Sequence, residues 1–348
     1  MRARRLRAGL QGWGGVSAMA LVCALAVLSA LLLPHAGRAG GGGGADTDGA
    51  GVAEGTRISA EPDCVDPEKQ TLSPSDEDGS AIEAIKNRQG EKRKLIVGVD
   101  QNSYGWGYRN PNRGPSGDLE GFDIDLVHRI AEDILGDPDE VQFKAIPTDQ
   151  RIRAIQDGRV DMVVRTMTIN CDRISDVAFS APYFKTGQQV LAPKSSGIKG
   201  YDGSLAGMRI CTAESSTAYS TLTDGLRTGD LPTSADISTT VPNQLDCLVR
   251  LQLGEVDAVV TDGALAASQA AQDPMVQLKG DAFTTEYYGV AMKRDADDLV
   301  RRVNHVLEDY REDTSNGWQA SYDRWLSETL GENSAESEPP APRYERES

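Results

Sequence analysis

Along residues 94–330, short unbroken apolar runs alternate with stretches in which apolar residues recur every three or four positions. Residues 94–100 (KLIVGVD) are of the first kind, the pattern of a strand covered on both faces. Residues 123–135 are of the second. Ile124, Val127, Ile130, Ala131 and Ile134 share one helical face, Asp125, Arg129, Glu132 and Asp133 the other, and Gly136 supplies the stop. Strand and helix patterns taking turns in this way predict an α/β fold with mainly parallel sheets.

One pattern occurs twice. Residues 155–166 read IQDGRVDMVVRT and residues 251–262 read LQLGEVDAVVTD. Each is the end of an apolar helix, a Gly that stops it, and a strand opened by Val-Asp. A further strand pattern precedes each copy, at 95–100 and at 208–212. Two similar α/β lobes account for the repetition. Each strand then runs into polar residues, Arg165 and Thr166 in one copy, Thr261 and Asp262 in the other. Open α/β sheets bind ligands beyond the carboxyl ends of their strands, so two lobes facing one another would enclose a cleft there.

The chain ends are built differently. Arg2, Arg4, Arg5 and Arg7 precede an uncharged apolar run over 16–33 and then HAGRA at 35–39, the order of an export signal cleaved after Ala39. Eighteen apolar residues are also just enough for a retained anchor, so both outcomes stand. Cys23 lies behind Val22, not behind the small residue that lipid attachment needs, and Arg4-Arg5 lacks the rest of a twin-arginine signal. Residues 40–80 carry a Gly run and then a Pro-, Ser- and acid-rich stretch without apolar periodicity, which predicts a flexible linker. The expected organisation is a signal or anchor over 1–39 and a linker over 40–80. Lobe 1 then comprises 81–188 plus 288–328, lobe 2 comprises 189–287, and 329–348 form a disordered tail. Either way the folded part works outside the cytoplasm.

Charge and cysteine content narrow the function. The chain has 36 Lys+Arg against 53 Asp+Glu, a formal charge of −17, and loss of the five Arg before residue 40 takes this to −22. A nucleic-acid partner is thereby excluded, since such surfaces concentrate Lys and Arg. Outside the signal remain Cys64, Cys171, Cys211 and Cys247, an even set suited to an oxidising compartment. Three pairings are open to four Cys. Cys211 and Cys247 fall in lobe 2, which leaves Cys64 to staple the N-terminal segment to Cys171. No CxxC or neighbouring His suggests a metal, so neither metal nor cofactor is expected.

Motifs for catalysis are absent: there is no GxSxG, HExxH, P-loop or GxGxxG after a strand. Charged residues at strand ends suggest binding instead. Arg165 follows the strand at 162–164 and Arg173 lies eight residues on. A guanidinium grips a carboxylate through two parallel hydrogen bonds, strongly so where water is excluded. Asp262, at the matching place in the second copy, suits an ammonium. Buried charges need partners, so opposite charges from two lobes suit a zwitterion.

Several segments resemble the polar amino-acid-binding proteins of ABC importers. They are DLEGFDIDLVHRIAEDI (118–134), IRAIQDGRVDMVVRTMTINCDRISDVAFSAPYF (152–184), CLVRLQLGEVDAVVTDGAL (247–265) and GWQASYDRWL (317–326). The Cys layout, the acidic leader around Cys64 and the PAPRY ending are similar to an actinobacterial glutamate/glutamine-binding branch. The resemblance implies a two-lobed fold with two hinge strands and a ligand cleft between the lobes. It implies a monomer that performs no chemistry, closes on an acidic or amide L-amino acid and delivers it to membrane permease subunits. An extracellular amino-acid sensor is the alternative reading of the same cleft.

Carried over by position, the resemblance assigns Arg173 to the ligand α-carboxylate with Thr168 beside it. The Thr166 carbonyl and Asp262 go to the ammonium, and Ser216 and Thr217 to a ligand-contacting loop. Asp100, Tyr104 and Trp106 then stand at the wall, where Tyr104 and Trp106 either touch the ligand or pack the rim. Two positions depart from the pattern. Many relatives carry an aromatic cover near Thr148 and a small residue at Arg165. A cation at Arg165 suits a ligand side-chain carboxylate, or equally points away to pair with Asp161 or Asp176; Arg109, Arg151 and Arg153 are second-rank candidates for the ligand contact.

Overall fold

The computed structural model describes residues 64–90, 94–113 and 118–346. The export signal or anchor, and the linker up to residue 63, lie outside the described residues. In chain order the strands are β1 (Leu95–Val99), β2 (Asn102–Ser103), β3 (Gly107–Arg109), β4 (Leu119–Glu120), β5 (Val141–Ala145), β6 (Met162–Val163), β7 (Ala178–Phe179), β8 (Phe184–Thr186), β9 (Gln188–Pro193), β10 (Arg209–Ala213), β11 (Asp236–Val241), β12 (Ala258–Asp262), β13 (Val276–Lys279), β14 (Glu286–Tyr288) and β15 (Ala291–Met292). The α-helices are α1 (Ser80–Lys86), α2 (Phe122–Leu135), α3 (Arg151–Gln156), α4 (Cys171–Ile174), α5 (Thr217–Thr228), α6 (Gln244–Gln252), α7 (Gly263–Gln272), α8 (Asp297–Glu312), α9 (Trp318–Trp325) and α10 (Ser327–Leu330).

Two five-stranded sheets carry the two lobes. Their orders are β5-β1-β6-β15-β7 and β11-β10-β12-β9-β13. In each, the first three strands are parallel and the fourth runs antiparallel to the third. The internal repeat therefore extends to topology: β6 and β12 hold the same third place. Both helix stops are left-handed glycines, Gly158 at φ 65° and Gly254 at φ 69°. Side chains alternate across β12 as strand geometry requires. Ala258 and Val260 pack with Leu222 of α5, and Val259 packs on the other face with Cys247 and Ala266. Each sheet is thus buried on both faces, which explains the unbroken apolar runs.

Helix α2 begins one residue earlier than its pattern predicts and ends as predicted, with Gly136 in the left-handed region at φ 76°. Its five expected apolar positions are all buried. A side chain at Gly121, just before it, would meet the Trp106 carbonyl, which closes the start of the helix against the loop after β1.

Between the sheets run two adjacent segments, paired antiparallel where β8 meets β14. Both expected disulfides are present, Cys64–Cys171 and Cys211–Cys247, with Cα separations of 5.7 and 5.5 Å.

Two sequence expectations need correction. The linker is not free from residue 64 onward, because Leu72 is fully buried and Thr71 donates to the Phe179 carbonyl at 2.7 Å. Asn304 of α8 donates to the Leu72 carbonyl at 2.6 Å. The C-terminal segment expected to be disordered is a strap across lobe 1. Glu345 N donates to the Lys69 carbonyl, Lys185 N donates to the Ser337 carbonyl, and Tyr344 donates to Glu308 at 2.7 Å. Both segments are held by backbone hydrogen bonds and polar side chains, which leave no apolar period to read.

Candidate functional site

The site lies where the carboxyl ends of β6 and β12 face each other. A small, tightly closed cavity is lined there by Arg151, Thr166, Thr168 and Arg173 from lobe 1. Ser216, Thr217, Gln244, Thr261 and Asp262 line it from lobe 2. Every one of these residues except Thr217 is buried.

Arg173 sits in the short helix α4, whose start is fixed by Asn170 accepting from the Arg173 N–H at 2.9 Å. Its guanidinium donates to the Thr168 carbonyl at 2.7 Å and, across the cleft, to the Ser215 carbonyl at 3.3 Å. Arg151, at the start of α3, donates to the carbonyls of Thr148 at 3.0 Å and Arg165 at 3.3 Å. Among the described residues neither guanidinium has a carboxylate within ion-pair distance. Burial lowers the pKa of both, and for Arg151 the charges of Arg173 and Arg165 add to the effect. Two buried cations therefore reach the cavity held by carbonyl dipoles, with Asp262 nearby but no carboxylate in ion-pair contact.

Asp262 stands opposite, at the end of β12. Its Oδ2 accepts from the Tyr288 hydroxyl at 2.6 Å. Burial first, then the nearby Glu286 carboxylate, raise its pKa to about 7, against the pull of Tyr288 and Arg173. Thr166 holds a backbone angle of φ 42°, rare for a β-branched residue. Asp123, buried at the start of α2, secures it by accepting the Thr166 N–H at 3.2 Å, and its other oxygen accepts from Tyr183 at 2.8 Å. Burial raises Asp123 to about 7 as well. Ser216 caps α5 by accepting the Tyr219 N–H, which turns the first residues of that helix toward the cavity.

Of the residues expected from sequence, the structure gathers Arg173, Thr168, Thr166, Ser216, Thr217 and Asp262 around one cavity. It does not bring the others there. Arg165 is fully buried and paired with Asp100 at 2.9 Å, so neither faces this cavity. Trp106 is core, packed edge-on against Phe184 and Tyr288. Tyr104 faces a separate crevice with Ser103, Leu245 and Gln269.

Arg151, second-rank from sequence, takes the place expected for Arg165. Gln244 and Thr261 were missed altogether. A signal for Gln244 existed. It is 96 positions from Thr148, the spacing of the internal repeat, and the two side chains meet across the cleft at 3.3 Å. Among the described residues no cluster of His, Cys, Asp and Glu could hold a metal ion.

The sequence profile of the bacterial extracellular solute-binding proteins, family 3, matches residues 95–328. The ABC transporter glutamine-binding protein GlnH of Bacillus subtilis is 33% identical over 251 residues, 72% of this chain and 86% of that protein. The glutamate-binding protein GluB of Corynebacterium efficiens is 30% identical over 255 residues, 70% of this chain and 81% of that one. Among solved structures, an arginine-binding protein of T. maritima (a P235GK mutant) superposes with a TM-score of 0.63 at 26% identity. It covers 71% of this chain and all of its own.

Proposed function

This chain belongs to the bacterial extracellular solute-binding proteins, family 3, and from that membership we infer that it is the amino-acid-binding component of an ABC importer, selective for glutamate or aspartate. The observation that carries the choice of ligand is the charge inventory of the cavity. Two guanidiniums without carboxylate partners face one carboxylate, which matches a ligand with two carboxylates and one ammonium. Arg173 and Thr168 take the α-carboxylate, Asp262 and the Thr166 carbonyl take the ammonium, and Arg151 takes the side-chain carboxylate. Each group replaces water that the closed cleft excludes, so charge-assisted bonds there are stronger than at a surface. The relatives named for glutamine and glutamate support an amino acid of this size.

Because charge partners come from both lobes, the ligand stabilises the closed arrangement over the open one, by its differential affinity for the two. The closed form then delivers its ligand to membrane permease subunits at the outer face of the membrane. Among the described residues no helix is long and apolar enough to cross a membrane.

Titration calorimetry against the 20 amino acids, after unfolding and refolding to strip carried-over ligand, tests this. Glutamate or aspartate should bind tightest with glutamine weaker. Preference for a cationic amino acid would overturn the assignment of Arg151.

A further inference from the structure

Arg165 is fully buried at the cleft, yet it is not part of the ligand cavity's lining. Its polar partners come from both lobes. From lobe 1, the Asp100 carboxylate is in ion-pair contact at 2.9 Å and the Thr148 hydroxyl accepts a hydrogen bond at 3.0 Å. From lobe 2, the side-chain oxygens of Asn243 and Gln244 accept at 3.1 and 3.5 Å. Beside them the Thr148 N–H donates to the Pro242 carbonyl at 3.0 Å, a backbone bond from lobe to lobe. None of these contacts needs a ligand.

We propose that Arg165 is a closure latch: a positioning residue that sets how readily the two lobes close, whatever amino acid is bound. The Asp100 carboxylate fixes the guanidinium at the end of β6, so the fork is already oriented when Asn243 and Gln244 arrive at the start of α6. Opening the cleft removes only the lobe-2 acceptors and lets water replace them. Closing restores a charge-assisted bond to Asn243, with the Gln244 oxygen at the outer edge of hydrogen-bond distance, and the guanidinium needs little further ordering because its Asp100 ion pair is in place in both states. The latch adds to the ligand's own closing free energy and lowers the dissociation constant of every ligand by one common factor. The same residue's carbonyl accepts from Arg151, so side chain and backbone divide the work. The carbonyl supports the ligand-reading cation and the guanidinium joins the lobes.

The latch rests on the two-lobed fold and not on the choice of glutamate, and its test keeps the two apart. Dyes attached through non-natural ketone side chains at the exposed positions 153 and 227 of the full chain report closure by energy transfer. Calorimetry reports affinity for glutamate, aspartate and glutamine. Arg165→Met should lower the closed fraction and weaken all three ligands alike, by about tenfold. Asn243→Ala, which leaves the Asp100 pair intact and serves if Arg165→Met does not fold, should do the same by about threefold. The double variant should be no weaker than Arg165→Met alone. A change in the glutamate-to-glutamine ratio on Arg165→Met would overturn the latch, as would effects that simply multiply. If none of the three binds, the ligand reading fails. The latch is then read from energy transfer without ligand, where an unchanged closed fraction in both variants overturns it.

Discussion

Replacing Arg151 by Met separates recognition of the ligand side chain from recognition of the amino-acid backbone. Met keeps the apolar stem that packs at the start of α3 and removes the charge. In the assigned pose the ligand's second carboxylate loses its counter-ion inside a cavity whose lining is almost wholly buried. Leaving one member of a buried charge pair alone costs roughly 2–5 kcal/mol. At about 3 kcal/mol, glutamate binding weakens about 150-fold. Glutamine loses only a bond to a neutral acceptor, about 1 kcal/mol or roughly fivefold. The glutamate-to-glutamine ratio should therefore fall about 30-fold. The Thr148 and Arg165 carbonyls also lose a donor, which lowers stability but acts on both ligands equally, so the ratio is the sound readout. Calorimetry of both ligands at pH 8, with circular dichroism to confirm folding, supplies it. If glutamate and glutamine weaken by the same factor, Arg151 does not face the side chain.

Arg173→Ala should weaken every amino acid by more than about 100-fold while the fold persists, since all share the α-carboxylate; a variant that binds within threefold of the unaltered protein would remove the assignment. Asp262 gives a pH signature. Its raised value of about 7 means that the ionised form, the one an ammonium binds, is complete only above that pH and is lost as pH falls through it. Affinity should drop about 30-fold from pH 8 to pH 5.5, and Asp262→Asn should bind weakly with a flat profile. A flat profile in the unaltered protein would contradict the ammonium role. Paired Ala substitution of Cys211 and Cys247 opens a loop with a sequence separation of 36 and should cost about 4 kcal/mol in urea unfolding. A loss under 1 kcal/mol would show that the lobe-2 sheet is self-sufficient.

The pattern along the chain determined the α/β class, the two lobes and the place of the cleft. Buried parallel strands must be apolar throughout, amphipathic helices must show one face, and a duplicated unit repeats both at a fixed spacing. The same repeat marked the strand ends at Thr166 and Asp262, because polar residues directly after an apolar strand lie at the sheet's carboxyl edge. Cysteine parity within one lobe was enough for the pairing.

Only the tertiary structure decided between Arg165 and Arg151. Both are cations near the same strand end, and their roles depend on which finds a carboxylate first. Asp100 reaches Arg165 from the neighbouring strand and leaves Arg151 without one. The placement of Trp106 in the core was settled the same way, by three aromatic rings that arrive from distant segments. The straps at 64–80 and 331–346 were invisible for a related reason. They are fixed by backbone hydrogen bonds and long-range polar contacts, and neither depends on a local period. Local patterns record which surface a residue presents, whereas charge pairing and strap docking depend on what another part of the chain brings to meet it.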